Sequence, residues 1–218
     1  MRCRLREPVS GLTHFCGAIG AAFGLAALLI MGHDSAVKAV SLIIYGISLI
    51  LMFSASSAYH LVTASPKVIG VLRKIDHSAI FVLIAGSYTP LCLNFFHGFW
   101  QWGLMAIVWG MAVIGIIVKL FVINAPRWVS AGIYLVMGWL SALAIPEMVS
   151  SMPINALLGL LLGGIFFTLG AIVYIFKKPD IYPGIFGFHE IWHIFVILGC
   201  ACHFLVMALY VAPQMIVS

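Results

Sequence analysis

The chain has 218 residues, of which 64% are hydrophobic and only 8% charged, and its formal net charge is +5. Soluble domains carry about 25% charged residues, so this composition excludes a water-soluble globular protein and predicts an integral membrane protein. The basic residues lie between apolar runs rather than in one patch, which argues against a nucleic-acid partner and for a role in membrane orientation.

Seven apolar runs follow one another along the chain, separated by turn-forming segments such as Ser65-Pro66 and Asn124-Ala125-Pro126. Each run is long enough to be a transmembrane helix. We therefore predict an all-α membrane protein in which residues 1–218 form a single seven-helix bundle. The predicted spans are approximately 12–31, 40–62, 78–96, 100–122, 129–145, 154–176 and 189–211.

The positions of the basic residues predict the orientation of these spans. If the N-terminus is cytoplasmic, ten Lys and Arg residues fall in cytoplasmic segments and only Lys38 falls outside. Cytoplasmic loops of membrane proteins are enriched in Lys and Arg. We therefore expect a multi-pass protein of the plasma or inner membrane with its N-terminus inside and its C-terminus outside. Five cysteines form no C-x-x-C pair and are interpreted as packing residues: Cys3, Cys16, Cys92, Cys200 and Cys202.

Three histidines meet at the cytoplasmic level of this topology. His60 ends the second run, while His189 and His193 begin the seventh, four residues apart and so on one helical face. Three imidazoles with an open fourth position are typical of a catalytic zinc site, and zinc lowers the pKa of a bound water to about 7. We predict zinc as the cofactor and these histidines as its ligands. The alternative is that they are interfacial histidines that merely favour the headgroup region.

Two further polar residues lie at the same level and are predicted to be catalytic. Asp76 precedes the third run and is placed to accept a proton from the water. Ser56 lies four residues before His60, on the same face, and is placed to hold the water or a substrate carbonyl. A second interpretation uses the H-E-x-x-H pattern of metalloproteases, in which Glu190 would be the base.

Taken together, these motifs resemble the hemolysin III family, within the progestin and adipoQ receptor superfamily that includes the adiponectin receptors. The resemblance runs through Gly11-Leu12-Thr13-His14-Phe15-Cys16-Gly17, Ser54-x-Ser56-Ser57-x-Tyr59-His60, Asp76-His77-Ser78-Ala79-Ile80-Phe81 and His189-x-x-x-His193. It implies a seven-helix bundle with a cytoplasmic N-terminus, and zinc ligands at His60, His189 and His193. It also implies that Ser56 and Asp76 lie near the zinc-bound water, and that Glu190 is not the base.

The resemblance extends to function, because several superfamily members are thought to be zinc-dependent hydrolases of lipid amides and others are described as receptors. We therefore expect a hydrolase of a lipid-like amide or ester, with membrane lipids as partners and the substrate in a cavity between helices. One alternative is a non-catalytic sensor or regulator of lipid homeostasis with structural zinc. Another is a lytic or transport protein. No span is lined by a row of charged residues, which argues against an ion path.

Overall fold

The computed structural model describes residues 5–122, 124–182 and 185–213. Cys3 and two of the cations counted as cytoplasmic, Arg2 and Arg4, lie outside these ranges. The described residues form eight α-helices: α1 (Pro8–Met31), α2 (Ala36–Leu61), α3 (Pro66–Asn94), α4 (Gly98–Phe121), α5 (Arg127–Trp139), α6 (Ile145–Ser151), α7 (Ile154–Phe176) and α8 (Phe188–Val206). A 3₁₀ turn, Leu140–Ala144, joins α5 to α6, and a π-helical turn, Met207–Val211, extends α8.

The surface of the described bundle is apolar while many polar side chains are buried. Phe23 and Ile30 are each 75% exposed, and Phe121 is 82% exposed, whereas Ser41 and Ser48 are buried. Large exposed apolar faces are rare on soluble proteins and are expected where lipid is the solvent. Six segments of the described chain are long and apolar enough to cross a membrane: Pro8–Met31, Ala36–Leu61, Gly98–Phe121, Arg127–Ser151, Ile154–Phe176 and Phe188–Val211. The prediction of an all-helical, multi-pass membrane bundle is confirmed.

Two helical segments extend beyond the predicted spans. The third run was placed at 78–96, but α3 begins at Pro66, because proline suits the first position of a helix and Lys and Arg are good helix formers. The fifth run was placed at 129–145, but helical structure continues through the 3₁₀ turn to Ser151.

The 3₁₀ turn between α5 and α6 is supported by one side chain of α3. The phenol oxygen of Tyr88 lies 2.7 Å from the Gly138 carbonyl oxygen and accepts a hydrogen bond from the Ser141 N–H at 2.8 Å. Backbone groups freed by a broken helix must find partners when they are buried. Tyr88 therefore satisfies backbone groups at the 3₁₀ turn, so that α5 and α6 form one helical segment with an interruption in the middle.

The helices close into a ring in which α1 packs on α2, α2 on α3, α3 on α5, α5 on α7, α7 on α8 and α8 on α1, while α4 packs against α3. This order brings the start of α1, the end of α2 and the start of α8 to the same end of the bundle. We call it the triad end, because it carries His60 and His189.

Candidate metal centre

Backbone contacts fix the start of α1 against the end of α2 at the triad end. Pro8 occupies the first turn of α1, so Glu7 immediately precedes the helix. The Glu7 N–H donates to the His60 carbonyl oxygen at 3.0 Å, and the Arg6 guanidinium donates to the Tyr59 carbonyl oxygen. These two contacts satisfy carbonyls at the end of α2 that have no intrahelical donor. They also place the Glu7 side chain beside His60.

The Nε2 atoms of the three predicted ligands lie close together. The Nε2 atoms of His60 and His189 are 3.4 Å apart, and those of His189 and His193 are 3.2 Å apart. One ligand atom from each of the three residues lies within 4.8 Å of the other two. Two nitrogens bound tetrahedrally to zinc at 2.0–2.1 Å are separated by about 3.3–3.4 Å. The spacing therefore fits a single metal ion, and this group could hold one.

The second nitrogen of His60 supports the same interpretation. His60 Nδ1 lies 2.5 Å from Glu7 Oε2, so a proton on Nδ1 leaves the Nε2 lone pair directed at the other two histidines. The hydrogen bond from His60 holds the pKa of Glu7 below its ordinary value, and the carboxyl group is therefore ionised at neutral pH. A carboxylate hydrogen-bonded to the distal nitrogen of a histidine is a common arrangement behind zinc ligands.

A fourth histidine packs directly on the triad. His14 on α1 is buried, and its ring centroid lies 3.9 Å from that of His193 and 5.1 Å from that of Phe53. Its two ring nitrogens have no hydrogen-bond partner among the described residues. His14 is not among the three residues whose ligand atoms converge. It therefore forms the wall of the site on the α1 side.

Glu190 has a structural task that uses both of its oxygens. Oε1 accepts a hydrogen bond from the buried Ser10 hydroxyl at 2.8 Å, and Oε2 accepts one from the Gly187 N–H at 2.9 Å. The second contact caps the start of α8, and the first ties α8 to α1. This geometry disfavours the metalloprotease interpretation, in which Glu190 would need a free oxygen facing the metal.

The two predicted catalytic residues are both buried in the bundle. Asp76 lies on α3, and its Oδ2 is 3.3 Å from Nδ1 of His77. It interacts electrostatically with His14 and His189. Ser56 lies four residues before His60 on α2, which is about one helical turn. Asp76 does not belong to the group of converging ligand atoms, and the catalytic roles of Asp76 and Ser56 stay predictions.

A cavity of about 280 Å³ opens beside the triad between the start of α1 and the segment before α8. His189 forms part of its wall, together with Arg6, Glu7, Asp180 and Glu190. His189 is also partly exposed, whereas His60 and His193 are buried. The cavity therefore gives one ligand of the triad access from outside the bundle.

Two features of this end were missed by the sequence prediction. Glu7 and Ser10 precede the first predicted apolar run at residue 12, and only their proximity to Pro8, a helix-start signal, could have placed them at the level of His60. His203 lies farther along α8. Its Nε2 lies 3.2 Å from the Leu160 carbonyl oxygen, and its ring packs 5.4 Å from Phe167, so it joins α8 to α7.

Comparison with known proteins agrees with these motifs. The sequence profile of the family described as "Haemolysin-III related" matches residues 3–204. The chain is 37% identical to "Hemolysin-3 homolog" of Bacillus subtilis (strain 168) over 206 residues, which is 94% of this chain and 93% of that protein. It is 30% identical to human "Monocyte to macrophage differentiation factor" over 189 residues, 82% of this chain and 73% of that protein. It is also 29% identical to "Adiponectin receptor protein" of Drosophila melanogaster over 212 residues, 88% of this chain and 48% of that protein. The chain belongs to the hemolysin III family, within the progestin and adipoQ receptor superfamily.

Proposed function

We propose that this protein is a zinc-dependent hydrolase of a lipid-like amide or ester in the cell membrane. The observation that carries the proposal is the convergence of the Nε2 atoms of His60, His189 and His193 at spacings of 3.2 and 3.4 Å, with a charged Glu7 behind His60. Three histidines leave one position of a tetrahedral site open, as in catalytic rather than structural zinc sites.

The proposed topology has seven spans, with the triad end in the cytoplasm and the C-terminus outside. Seven spans require α3 to cross the membrane together with the six apolar segments. Its length of 29 residues, about 44 Å of helix, supports this. The excess of Lys and Arg in the segments that would be cytoplasmic supports the orientation. Placing the triad near that face would let lipid reach the site from the inner leaflet.

Each polar residue around the triad has a proposed role. Zinc, when bound, would supply a water of lowered pKa and polarise the scissile carbonyl. Asp76 accepts the proton of the attacking water, and its neighbour His77 fixes the carboxylate. Ser56 orients the water or the substrate carbonyl from the adjacent turn of α2. Glu7 keeps His60 in the tautomer whose Nε2 is free.

The test combines metal content with turnover. We expect the purified protein to contain about one zinc ion per chain and to hydrolyse a fluorescent long-chain amide or its ester, with chelation abolishing turnover. Asp76→Asn should retain zinc and lose turnover by about 10²–10⁴-fold, the usual contribution of a general base. Unchanged turnover in Asp76→Asn would remove Asp76 from the mechanism, and a wild-type protein without zinc would end the proposal.

A non-catalytic sensor of membrane lipids is the second candidate, and one observation favours it. The triad and its two carboxylates join α1, α2 and α8, so a metal there would also clamp three helices. In that case zinc would raise thermal stability without supporting turnover of any lipid amide or ester. The same two measurements therefore separate the two functions. A lytic or transport activity would instead appear as leakage from sealed vesicles that contain the protein.

A further inference from the structure

We propose that Arg127 and Arg73, beside Tyr174, form a binding site for the phosphate of an anionic lipid head group at the triad end of the bundle. The site is separate from the histidine triad and goes beyond the proposed hydrolase. Its test is lipid binding, so the result does not depend on whether the protein turns over any substrate.

Arg127, at the start of α5, is held in a position that leaves its donors free. Its guanidinium lies 5.0 Å from the centroid of the Tyr174 ring and 5.1 Å from that of Phe188. The Nη1 atom is buried, and among the described residues it has no hydrogen-bond partner. No described carboxylate lies within ion-pair distance of Arg127 either. A guanidinium has five N–H donors, and leaving one buried and unpaired is unfavourable.

Arg73, on α3, adds a second cation at the same place. Arg73 acts electrostatically on Tyr174 together with Arg127, and its contact with Asn124, three residues before Arg127, places it beside the start of α5. Arg73 donates only one described hydrogen bond, to the Asn124 side chain at 3.2 Å. The carboxylate three residues further along α3, Asp76, is engaged by His77. Asp76, which also acts on Tyr174, offsets one of the two positive charges, so a net positive charge remains at this place.

Two other cations nearby are already accounted for. Lys74 donates to the Leu120 carbonyl oxygen at the end of α4, where a positive charge also stabilises the helix dipole. Lys119 is buried and donates to the Ser130 hydroxyl. Both keep additional positive charge beside Arg73, which raises the attraction for an anion. The planar fork of donors, however, belongs to the arginines.

The surroundings favour a membrane lipid as the occupant. The next residue after Arg127 is Trp128, which is 65% exposed, and exposed tryptophans at helix ends mark the headgroup level of a membrane. Basic pockets between transmembrane helices bind phosphate head groups, and the planar fork of arginine suits two phosphate oxygens at once. Tyr174 also lies 6.1 Å from His189, ring to ring. A lipid held here would lie one aromatic ring away from the triad.

The experiment measures thermal stabilisation of the full-length protein in a neutral detergent during titration with phosphatidylglycerol. Phosphatidylcholine and inorganic phosphate are titrated separately. Arg127→Gln and Arg73→Gln remove the proposed ligands. Lys67→Gln is the matched control, because Lys67 is an exposed cation on the first turn of the same helix as Arg73. Arg127→Lys keeps the positive charge but loses the planar guanidinium group, and it replaces Arg127→Gln in the experiment if that variant does not fold.

We expect phosphatidylglycerol, but not inorganic phosphate or phosphatidylcholine at equal concentration, to stabilise the wild type. Each Gln variant should weaken its apparent affinity roughly 10–100-fold, as the loss of hydrogen bonds to a charged group implies. Arg127→Lys should show a smaller loss, and Lys67→Gln should stay within about twofold. The proposal is overturned if Lys67→Gln weakens binding as much as the arginine variants, because the effect is then general surface charge. It is equally overturned if inorganic phosphate stabilises the protein as well as the lipid does, or if no lipid has an effect.

Discussion

Replacing Glu7 with glutamine tests the candidate metal centre through a residue that touches no metal. The Glu7 carboxylate is 2.5 Å from His60 Nδ1, while its backbone N–H separately donates to the His60 carbonyl oxygen at 3.0 Å. Glutamine keeps the size of the side chain and an oxygen that can accept the hydrogen bond. It removes the negative charge. The backbone contact that aligns α1 with α2 should therefore survive the change.

The expected loss of zinc affinity follows from the position of the carboxylate. Removing a partner behind a metal ligand costs about 10–100-fold in affinity, or about 1.4–2.7 kcal/mol. The Glu7 side chain is 42% exposed, and solvent screening weakens interactions of exposed charges. We therefore expect the zinc affinity of Glu7→Gln to be about tenfold lower than that of the wild type, at the lower end of this range.

The loss of zinc affinity in Glu7→Gln should also depend on pH in a defined way. The hydrogen bond from His60 lowers the pKa of Glu7 from its ordinary value of 4.5. A carboxyl group whose folded-state pKa is depressed contributes fully above the ordinary value and loses its contribution as the pH falls through the lowered one. The ratio of wild-type to variant affinity should therefore be constant from about pH 6 to pH 8, and it should shrink only in more acidic buffer.

The assay is competition for zinc between the purified protein and a fluorescent chelator of known affinity. Glu147→Gln is the matched control, because Glu147 accepts a hydrogen bond from the His97 N–H at 2.9 Å, outside the triad end. It should bind zinc as the wild type does. If Glu7→Gln also binds zinc with wild-type affinity, the carboxylate does not support a metal ligand, and the assignment of His60 then rests on the spacing of the Nε2 atoms alone.

Three further outcomes are expected. His193→Ala should lose nearly all bound zinc by elemental analysis, whereas His33→Ala, which changes an exposed histidine, should keep it; equal zinc in both variants would contradict the ligand set. Stripping zinc from the wild type should lower its melting temperature by roughly 5–10 °C if the ion was present at about 100 times its Kd, and an unchanged melting temperature would mean that no ion ties the helices. Gly86→Ala should destabilise the bundle by about 1–3 kcal/mol, because a Cβ there would lie 2.3 Å from Ser48 Oγ. The double variant with Ser48→Gly should recover most of that loss, and failure to recover would show that the strain lies elsewhere.

The convergence of the three histidines could be predicted from sequence because they follow two simple rules. His189 and His193 share a face through their spacing of four residues, and the alternation of apolar runs brings His60 to the same level. The apolar part of α3 could be predicted as well. Its first three turns could not, because hydropathy identifies the part of a helix that lipid solvates and not the residue at which the helix begins.

The interruption between α5 and α6 was missed for a different reason. Pro146 follows the 3₁₀ turn, and a proline disfavours the α conformation of the residue before it, so a local signal was present. Whether a helix ends there or only changes its winding depends on tertiary contacts. Tyr88, about 50 residues earlier in the chain, supplies the hydrogen bonds that let the segment continue, and no local pattern contains that information.

The contacts of Glu190 show that a sequence motif alone does not determine the role of a residue. In sequence, His189-Glu190-x-x-His193 matches a metalloprotease helix, and two of its residues do carry converging nitrogens. In three dimensions the glutamate turns away from them, toward the Gly187 N–H and the Ser10 hydroxyl. The same carboxylate that would activate water in a protease here caps α8 and ties it to α1. Since Glu7 ties the start of α1 to His60 on α2, the two glutamates connect α2 and α8, the helices that carry the three histidines, through one short N-terminal segment. In the proposed hydrolase the proton acceptor would then come from a different helix, and Asp76 on α3 is the buried carboxylate that remains in the described part of the bundle.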